Sequence, residues 1–336
     1  MSRFIQLHLL TSYPPANLNR DDLGRPKTAR MGGVDRLRVS SQSLKRAWRT
    51  SDLFEAAMAG NIGTRTQQLG VKMRHRLLEK GIDEKKSKAW AQEMAKQFAK
   101  LKSPTNTEPD LDLETGQLVH ISPAEWQAAE ALADKLAAEK RPPTEDELKA
   151  LRRRAKAVDI AFFGRMLADH PADGVEAAVQ VGHALSVHEV AIEDDYFTAV
   201  DDLNLHEEDA GAGHLGEAGF AAGLFYLYVC INRELLLENL LGDGDLANRA
   251  ISAFVETLAK VGPTGKQNSF ASRAYASYIL AEKGDQQPRS LSVSFLKPAG
   301  NSDMLREAVN ALEGQRGKMD KAYGPCADEV AAMDVD

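Results

Sequence analysis

Cysteine is nearly missing: the 336 residues contain two, Cys230 and Cys326. Widely separated and without paired-ligand spacing, they argue against both a disulfide framework and a zinc site, and two reduced structural thiols are expected. Long apolar runs are missing as well. No uninterrupted stretch approaches the roughly 18 residues that a bilayer crossing requires. The start, Met1-Ser2-Arg3, leads into a strand-like segment instead of a signal peptide. A soluble, cytoplasmic protein with no membrane partner is expected. Nor does the composition favour wholesale disorder, because 43% apolar and 27% charged residues leave ample material for a core. The length suggests about two domains, or one domain carrying a large insertion.

A basic surplus is also missing from the chain as a whole, whose formal net charge is −7. The sum conceals two unlike parts. Residues 1–102 hold 21 Lys+Arg against 9 Asp+Glu, a balance of +12, and residues 103–336 hold 21 against 40, a balance of −19. Such asymmetry is expected where one surface meets a polyanion and another is solvated or meets basic partners. For residues 72–102 a lysine-rich solvated helix is the competing explanation.

Hydrophobic periodicity organises the chain. Residues 4–10 set Ile5, Leu7 and Leu9 against Gln6 and His8, the pattern of a half-buried strand, and a polar loop over 11–22 follows. A short strand at 37–40 precedes a helix that Ser40 or Ser41 can cap, with Leu44, Ala47 and Trp48 on its packing side. Upstream, Gly32-Gly33 permits an unusual bend. Between about 65 and 157 the pattern is helical and polar, over 67–102, 123–140 and 145–158, like an insertion into another fold. Strand signals resume at 160–163, 175–189, 222–232 and 290–297, and helical patterns follow at 245–261 and 303–320. Without the regular alternation of a doubly wound sheet, an α+β domain with an antiparallel sheet, of ferredoxin or RNA-recognition type, fits best. Residues 193–217 stand apart, with nine acidic residues and no Lys or Arg, and read as a protruding hairpin.

The sharpest local feature is Arg36-Leu37-Arg38-Val39-Ser40-Ser41-Gln42-Ser43-Leu44-Lys45-Arg46-Ala47-Trp48-Arg49. A helix starting near Ser41 sets Lys45 and Arg49 on one face and Arg46 beside them, with Leu44 and Trp48 turned inward. Cations on a rigid rod, with Ser40, Ser41 and Gln42 as neutral donors near its N-terminus, suit an anion such as an RNA backbone. The bland alternative is a surface helix beside acidic partners in the same protein. Gly262-Pro263-Thr264-Gly265-Lys266-Gln267-Asn268-Ser269 lacks the spacing of a nucleotide-binding phosphate loop, but as a loop with amides and one cation it can touch phosphates. His183 and His188 are five apart in a strand-like stretch and read as structural, not as joint metal ligands. The pairs Asp194-Asp195 and Asp201-Asp202 read as solubilising charge, and Asp35 as an ion-pair partner.

Five segments then suggest a family: Leu18-Asn19-Arg20-Asp21-Asp22, Arg38-Val39-Ser40-Ser41-Gln42-Ser43-Leu44-Lys45-Arg46-Ala47, Gly164-Arg165-Met166, Phe197-Thr198-Ala199-Val200-Asp201-Asp202-Leu203 and His214-Leu215-Gly216. Together, in this order, they resemble the CasC-type backbone subunit of the type I-E CRISPR surveillance complex, Cascade. The resemblance implies an RNA-recognition-like (ferredoxin-like) palm from 1–64, 158–192 and 221–300. It further implies a helical fingers insertion at 65–157, a β-hairpin thumb at 193–220, and a C-terminal helix and acidic tail at 301–336. It also implies several copies in a helical filament along one CRISPR RNA, in company with large, small, guide 5′-end and guide 3′-end subunits. Each thumb would displace every sixth nucleotide and leave the others free to pair with target DNA.

A subunit that holds any spacer must contact phosphate and ribose, not base edges. The resemblance and the residue chemistry together nominate Asn19, Arg20, Lys27, Arg38, Ser40, Ser41, Gln42, Lys45, Arg46, Arg49, Arg165, Met166, Lys266, Gln267, Asn268 and Ser269 for RNA binding. Phe197, Thr198, Val200 and Leu215 are the expected thumb wedge, with Met166 opposite. No catalytic residue, metal or cofactor is implied. The alternatives are a metal-dependent RNase of the type III backbone kind, with Asp35 in the comparable region, and an isolated single-strand RNA-binding protein.

Overall fold

A computed structural model of the chain describes residues 2–105, 110–152, 156–167, 170–199, 214–300 and 303–335. The chain opens with strand β1 (Phe4–Ala16) and a hairpin of β2 (Thr28–Met31) and β3 (Val34–Val39), followed by helices α1 (Ser41–Arg49) and α2 (Asp52–Ala57). A mostly helical stretch comes next: β4 (Thr64–Thr66), α3 (Leu69–Glu79), α4 (Glu84–Ala95), β5 (Val119–Ile121), α5 (Pro123–Glu139), α6 (Glu145–Ala150) and α7 (Val158–Phe163). Short strands β6 (Val179–Val181) and β7 (Ala184–Ser186) lead to β8 (Glu193–Ala199) and the long β9 (His214–Asn232). Helices α8 (Arg233–Asn239), α9 (Gly244–Lys260) and α10 (Gln267–Phe270), strand β10 (Ala276–Gly284), helix α11 (Met304–Tyr323) and strand β11 (Glu329–Asp334) complete the order.

These elements form two units. The first comprises Met1–Phe54, Gln180–Asn232 and Ser252–Asp336. Its sheet follows the order β11-β10-β1-β9-β7-β3-β2, and β8 pairs with the start of β9. The pairings β1/β10, β1/β9, β10/β11, β2/β3, β3/β7 and β7/β9 are antiparallel. Helix α11 covers part of this sheet through Ala308, Val309 and Leu312, in one cluster with Leu10, Tyr226 and Leu280. Edge-on rings of Trp48, Phe54 and Phe254 build another part of the core, with centroids 5.6 Å (Trp48–Phe254) and 6.2 Å (Phe54–Phe254) apart. Fully burying one such side chain contributes about 1.5–3 kcal/mol. The α+β class with an antiparallel sheet is therefore as the periodicity requires.

The second unit comprises Glu55–Val179 and Arg233–Ile251. Helices α3, α4 and α5 present Met73, Leu77, Met94, Phe98 and Leu136 to a common core. Their starts are well specified. Ser122 and Glu125 form a reciprocal capping box at α5, and Thr144 and Glu147 form another at α6. Much of the basic charge over 72–102 meets acids within the same unit. Arg74 pairs with Glu84 at 2.6 Å and Asp110 at 2.7 Å, Arg76 with Asp134 at 2.8 Å, Lys88 with Asp112 at 2.9 Å and Lys102 with Glu114 at 2.6 Å.

Several expected elements differ. Residues 160–163 lie in helix α7, not in a strand, because Ile160, Ala161 and Phe162 are buried together and an all-apolar run carries no period to distinguish the two. The alternating serines at 290–297 form a 3-10 turn over Ser292–Phe295. Only Val179–Val181 and Ala184–Ser186 are strands within 175–189. The expected acidic tail contains β11, which pairs along β10 from Lys283↔Glu329 to Tyr278↔Asp334. Strand β1 continues through the expected loop as far as Ala16, and it is buried on both faces over 6–10.

That last difference has a polar cause. Gln6 and His8, expected to face water, enter a buried network instead. His8 Nδ1 lies 2.8 Å from the Tyr226 hydroxyl and His8 Nε2 lies 3.1 Å from Glu282. Arg289 donates to Glu282 at 2.6 Å, and Gln6 Oε1 accepts from the Tyr228 hydroxyl at 2.9 Å and from the Arg289 amide at 2.8 Å. Burial lowers the His8 pKa more than Glu282 raises it. Burial alone would raise the Glu282 carboxyl, but its hydrogen bonds with His8 and Arg289 outweigh that and hold it down at about 2. Cys230 and Cys326 are buried thiols, and Gln6 donates to the Cys326 sulfur at 3.4 Å.

Candidate nucleic-acid interface

The interface residues of the first unit are assembled around the start of α1. Ser40 has the extended backbone of an N-cap, and its hydroxyl accepts from the Ser43 amide at 3.3 Å. Its own amide donates to Asn19 Oδ1 at 2.9 Å. Lys27 donates its amide to the Asn19 carbonyl at 2.8 Å, and Arg38 donates its amide to the Lys27 carbonyl at 2.8 Å. One chain of hydrogen bonds thus brings Asn19, Lys27, Arg38 and Ser40 together from the end of β1, the start of β2, β3 and α1.

Helix α1 buries Leu44, Ala47 and Trp48 and leaves Gln42 and Arg46 exposed, with Lys45 and Arg49 half-buried. The amphipathic spacing therefore turns the cations away from the core. Partial burial lowers the Lys45 pKa from its ordinary value. Among the described residues, Arg20, Lys27, Arg38 and Arg46 make no ion pair with a carboxylate, in contrast to the paired cations of the helical unit.

The 262–270 segment reaches the same region. Trp48 Nε1 donates to the Val261 carbonyl at 3.0 Å, which ties α1 to its start. A side chain at Gly265 would collide with the carbonyl of Leu18, so glycine is required for the segment to lie against 17–18. Lys266 follows in the left-handed region at φ 47°, and Gln267 donates to the Pro263 carbonyl at 3.0 Å, while Asn268 and Ser269 are exposed.

The hairpin of β8 and β9 carries the remaining expected residues of this unit. Tyr196 and Phe197 are exposed at 66% and 44%, and Phe197 pairs with Gly216 across the ladder. The Phe197 ring lies over Gly216, where a Cβ would strike it. Thr198 pairs with Leu215. Val200 and the side chain of Leu215 lie outside the described residues. At the hairpin's base, Arg25 meets Asp194 at 2.9 Å, and buried Asn17 donates to the carbonyls of Gly24 and Gly219 at 2.9 and 2.8 Å.

Arg165 and Met166 belong to the second unit and differ sharply. Met166 is 89% exposed. Arg165 is buried: its guanidinium meets Glu125 at 2.7 Å and donates to the carbonyls of His120 at 3.1 Å and Asp173 at 3.3 Å. Those bonds make it an internal anchor of the helical unit. Asp35 is exposed on β3, opposite Arg30 in the hairpin.

Two residues beside the interface fall outside the expected set. Arg36 is fully buried and donates to the carbonyls of Met31 at 3.3 Å, Ser186 at 3.3 Å and Phe295 at 2.8 Å, fastening the β2–β3 hairpin. Its clustering with Arg38 and Arg46 in sequence conceals an inward role that alternation on β3 does not reveal. His183 is exposed, and its Nδ1 accepts from the Ser41 amide at 3.0 Å.

The chain is similar along nearly its whole length to solved structures. One, from a complex described as "CRISPR RNA-guided surveillance complex, pre-nicking", shares 31% identity at a TM-score of 0.86, covering 99% of this chain and 92% of that one. Another, from a "CRISPR RNA-guided surveillance complex", shares 26% identity at a TM-score of 0.75 with the same coverage. No curated protein sequence matches the chain. The model of the CT1975-like protein family matches residues 5–335. By that match, which spans almost the entire sequence, the chain belongs to the CT1975-like protein family.

Proposed function

We propose that this protein is a subunit of a CRISPR RNA-guided surveillance complex and serves in CRISPR defence as its type I-E backbone. Copies polymerise along the CRISPR RNA by contacts to phosphate and ribose. Each displaces every sixth nucleotide, so that the intervening bases pair with target DNA. The carrying observation is that exposed Arg20, bridged to Pro26 beside Lys27, shares one unit with Lys27, Arg38, Lys45, Arg46 and Arg49 and with the neutral donors of Gln42, Asn268 and Ser269. Such a set binds an RNA backbone without reading sequence. The hairpin, acidic apart from its exposed aromatics, suits steric displacement better than phosphate binding. Met166, exposed on the helical unit, offers a further apolar contact.

The role is structural and requires no bond cleavage by this chain. Incubating the guide-loaded complex with complementary RNA and Mg²⁺ tests that point: cuts at six-nucleotide spacing that vanish in Asp35→Ala would overturn it. The RNA contacts are tested by Lys45→Ala combined with Arg49→Ala. Guide retention should weaken equally for unrelated spacers, and the slope of log affinity against log salt should flatten by about 0.7 for each phosphate that is no longer neutralised. Weakening that depends on the spacer sequence would contradict backbone-only recognition.

A further inference from the structure

The β3/β7 ladder places a histidine on the basic face. Arg38 pairs with Leu185 and Val39 with Ala184, so the next step along the strands sets His183 beside Ser40 and Ser41. There the Ser41 amide donates to His183 Nδ1 at 3.0 Å. A backbone N–H can only donate, so Nδ1 keeps its lone pair and the proton of the neutral ring resides on Nε2. The ring is exposed and makes no other hydrogen bond among the described residues. The charged groups acting on it are Arg38 and Lys27, both cationic, and no carboxylate opposes them. Partial burial first, and then these two cations, lower its pKa from the ordinary value, in the same sense as the neutral ring that the Ser41 bond requires.

A donor held in one tautomer near two cations is suited to one partner, an anionic acceptor. We propose that His183 is an additional RNA-binding residue, donating its Nε2–H to a phosphate oxygen of the same backbone stretch that Lys27 and Arg38 neutralise. The inference rests on the guide-binding reading above and adds to it a neutral, geometrically fixed contact beside the charged ones. Removing a neutral donor releases no counterion, so its signature differs from that of Lys45 or Arg49: affinity falls while the salt slope stays constant.

Two variants separate this contact from the cap on Ser41. In His183→Asn the amide oxygen takes the place of Nδ1 and continues to accept from Ser41, while the Nε2 donor is gone. In His183→Gln an amide N–H reaches towards the former Nε2 position. Guide-RNA affinity of the full chain is measured between 50 and 500 mM salt, alongside the thermal midpoint of the RNA-free chain. The expected result is an affinity loss of roughly three- to tenfold in His183→Asn, as for one hydrogen bond, with unchanged slope and midpoint, and partial recovery in His183→Gln. Wild-type affinity in His183→Asn would overturn the inference, as would a loss seen only together with a lowered midpoint. Failure of the guide-binding reading is distinct, because the wild-type chain would then itself retain no guide.

Discussion

Buried Glu282 shows how single residues tie the sheet together: it accepts from buried His8 on β1 and from partly exposed Arg289 beyond β10. Removing its charge takes the closer of two carboxylates from the partly exposed Arg289 guanidinium and leaves Asp320, at 3.2 Å, as its remaining counterion. Glu282→Gln should therefore lower unfolding stability by about 1.5–3 kcal/mol, read from urea denaturation. The same network sets a pH dependence. His8 has a folded pKa below its ordinary value, so as pH falls below about 6.5 the unfolded chain gains a proton that the native chain resists, and stability declines. Glu282 adds its own loss as pH falls from 4.5 towards about 2. The urea midpoint should thus be lower at pH 5.5 than at pH 7.5, and a midpoint constant over that range would contradict the assignment. Neither inward residue is legible in sequence: the alternation of Gln6 and His8 with leucines is that of a half-exposed strand, and only the distant partners Tyr226, Glu282 and Arg289 reveal otherwise.

Among elements, the β2–β3 hairpin positions Arg38 and, through it, the start of α1. Its two-residue turn, Gly32-Gly33, has φ of 65° and 86°, as a turn with both central residues left-handed demands. The two glycines differ in surroundings. A Cβ at Gly33 meets open space, whereas one at Gly32 runs into the Leu296 carbonyl. Gly33→Ala should cost about 1 kcal/mol from backbone strain alone, and Gly32→Ala clearly more, compared in the same denaturation assay. Equal costs would exclude the carbonyl as a constraint. Elements with local signals are legible in sequence: the Ser40 cap, the apolar stripe of α1, and the helices at 123–139, 244–260 and 304–323. Elements that depend on distant partners are not. Strand β11 is exposed along its length and exists as a strand only through its pairing with β10. Helix α7 is short and wholly apolar along Ile160–Phe163 in sequence, so no polar face announces its period.

At the scale of the molecule, the net charge of −7 combines regions of opposite use. The surplus of +12 over residues 1–102 does not form one uniform basic surface. Its helical share meets Glu84, Asp110, Asp112, Glu114 and Asp134, so there the solvated or internally paired explanation prevails. The share carried by Arg20, Lys27, Arg38 and Arg46 has no such carboxylate pairs among the described residues and is available to a polyanion. This part of the site is legible in sequence, because cations at helical spacing beside an N-cap are a local pattern. Arg165, buried against Glu125, cannot be told in the same way from its surface-exposed neighbour Met166, since burial is set by residues forty positions away. Periodic, sequence-independent grip on a guide RNA is the core of the proposed role, and chemical probing of base reactivity on the RNA within the purified assembly reads it out in one experiment. An exposed, reactive base is expected at every sixth position whatever the spacer. Uniform reactivity, or a pattern that moves with the spacer sequence, would contradict that role.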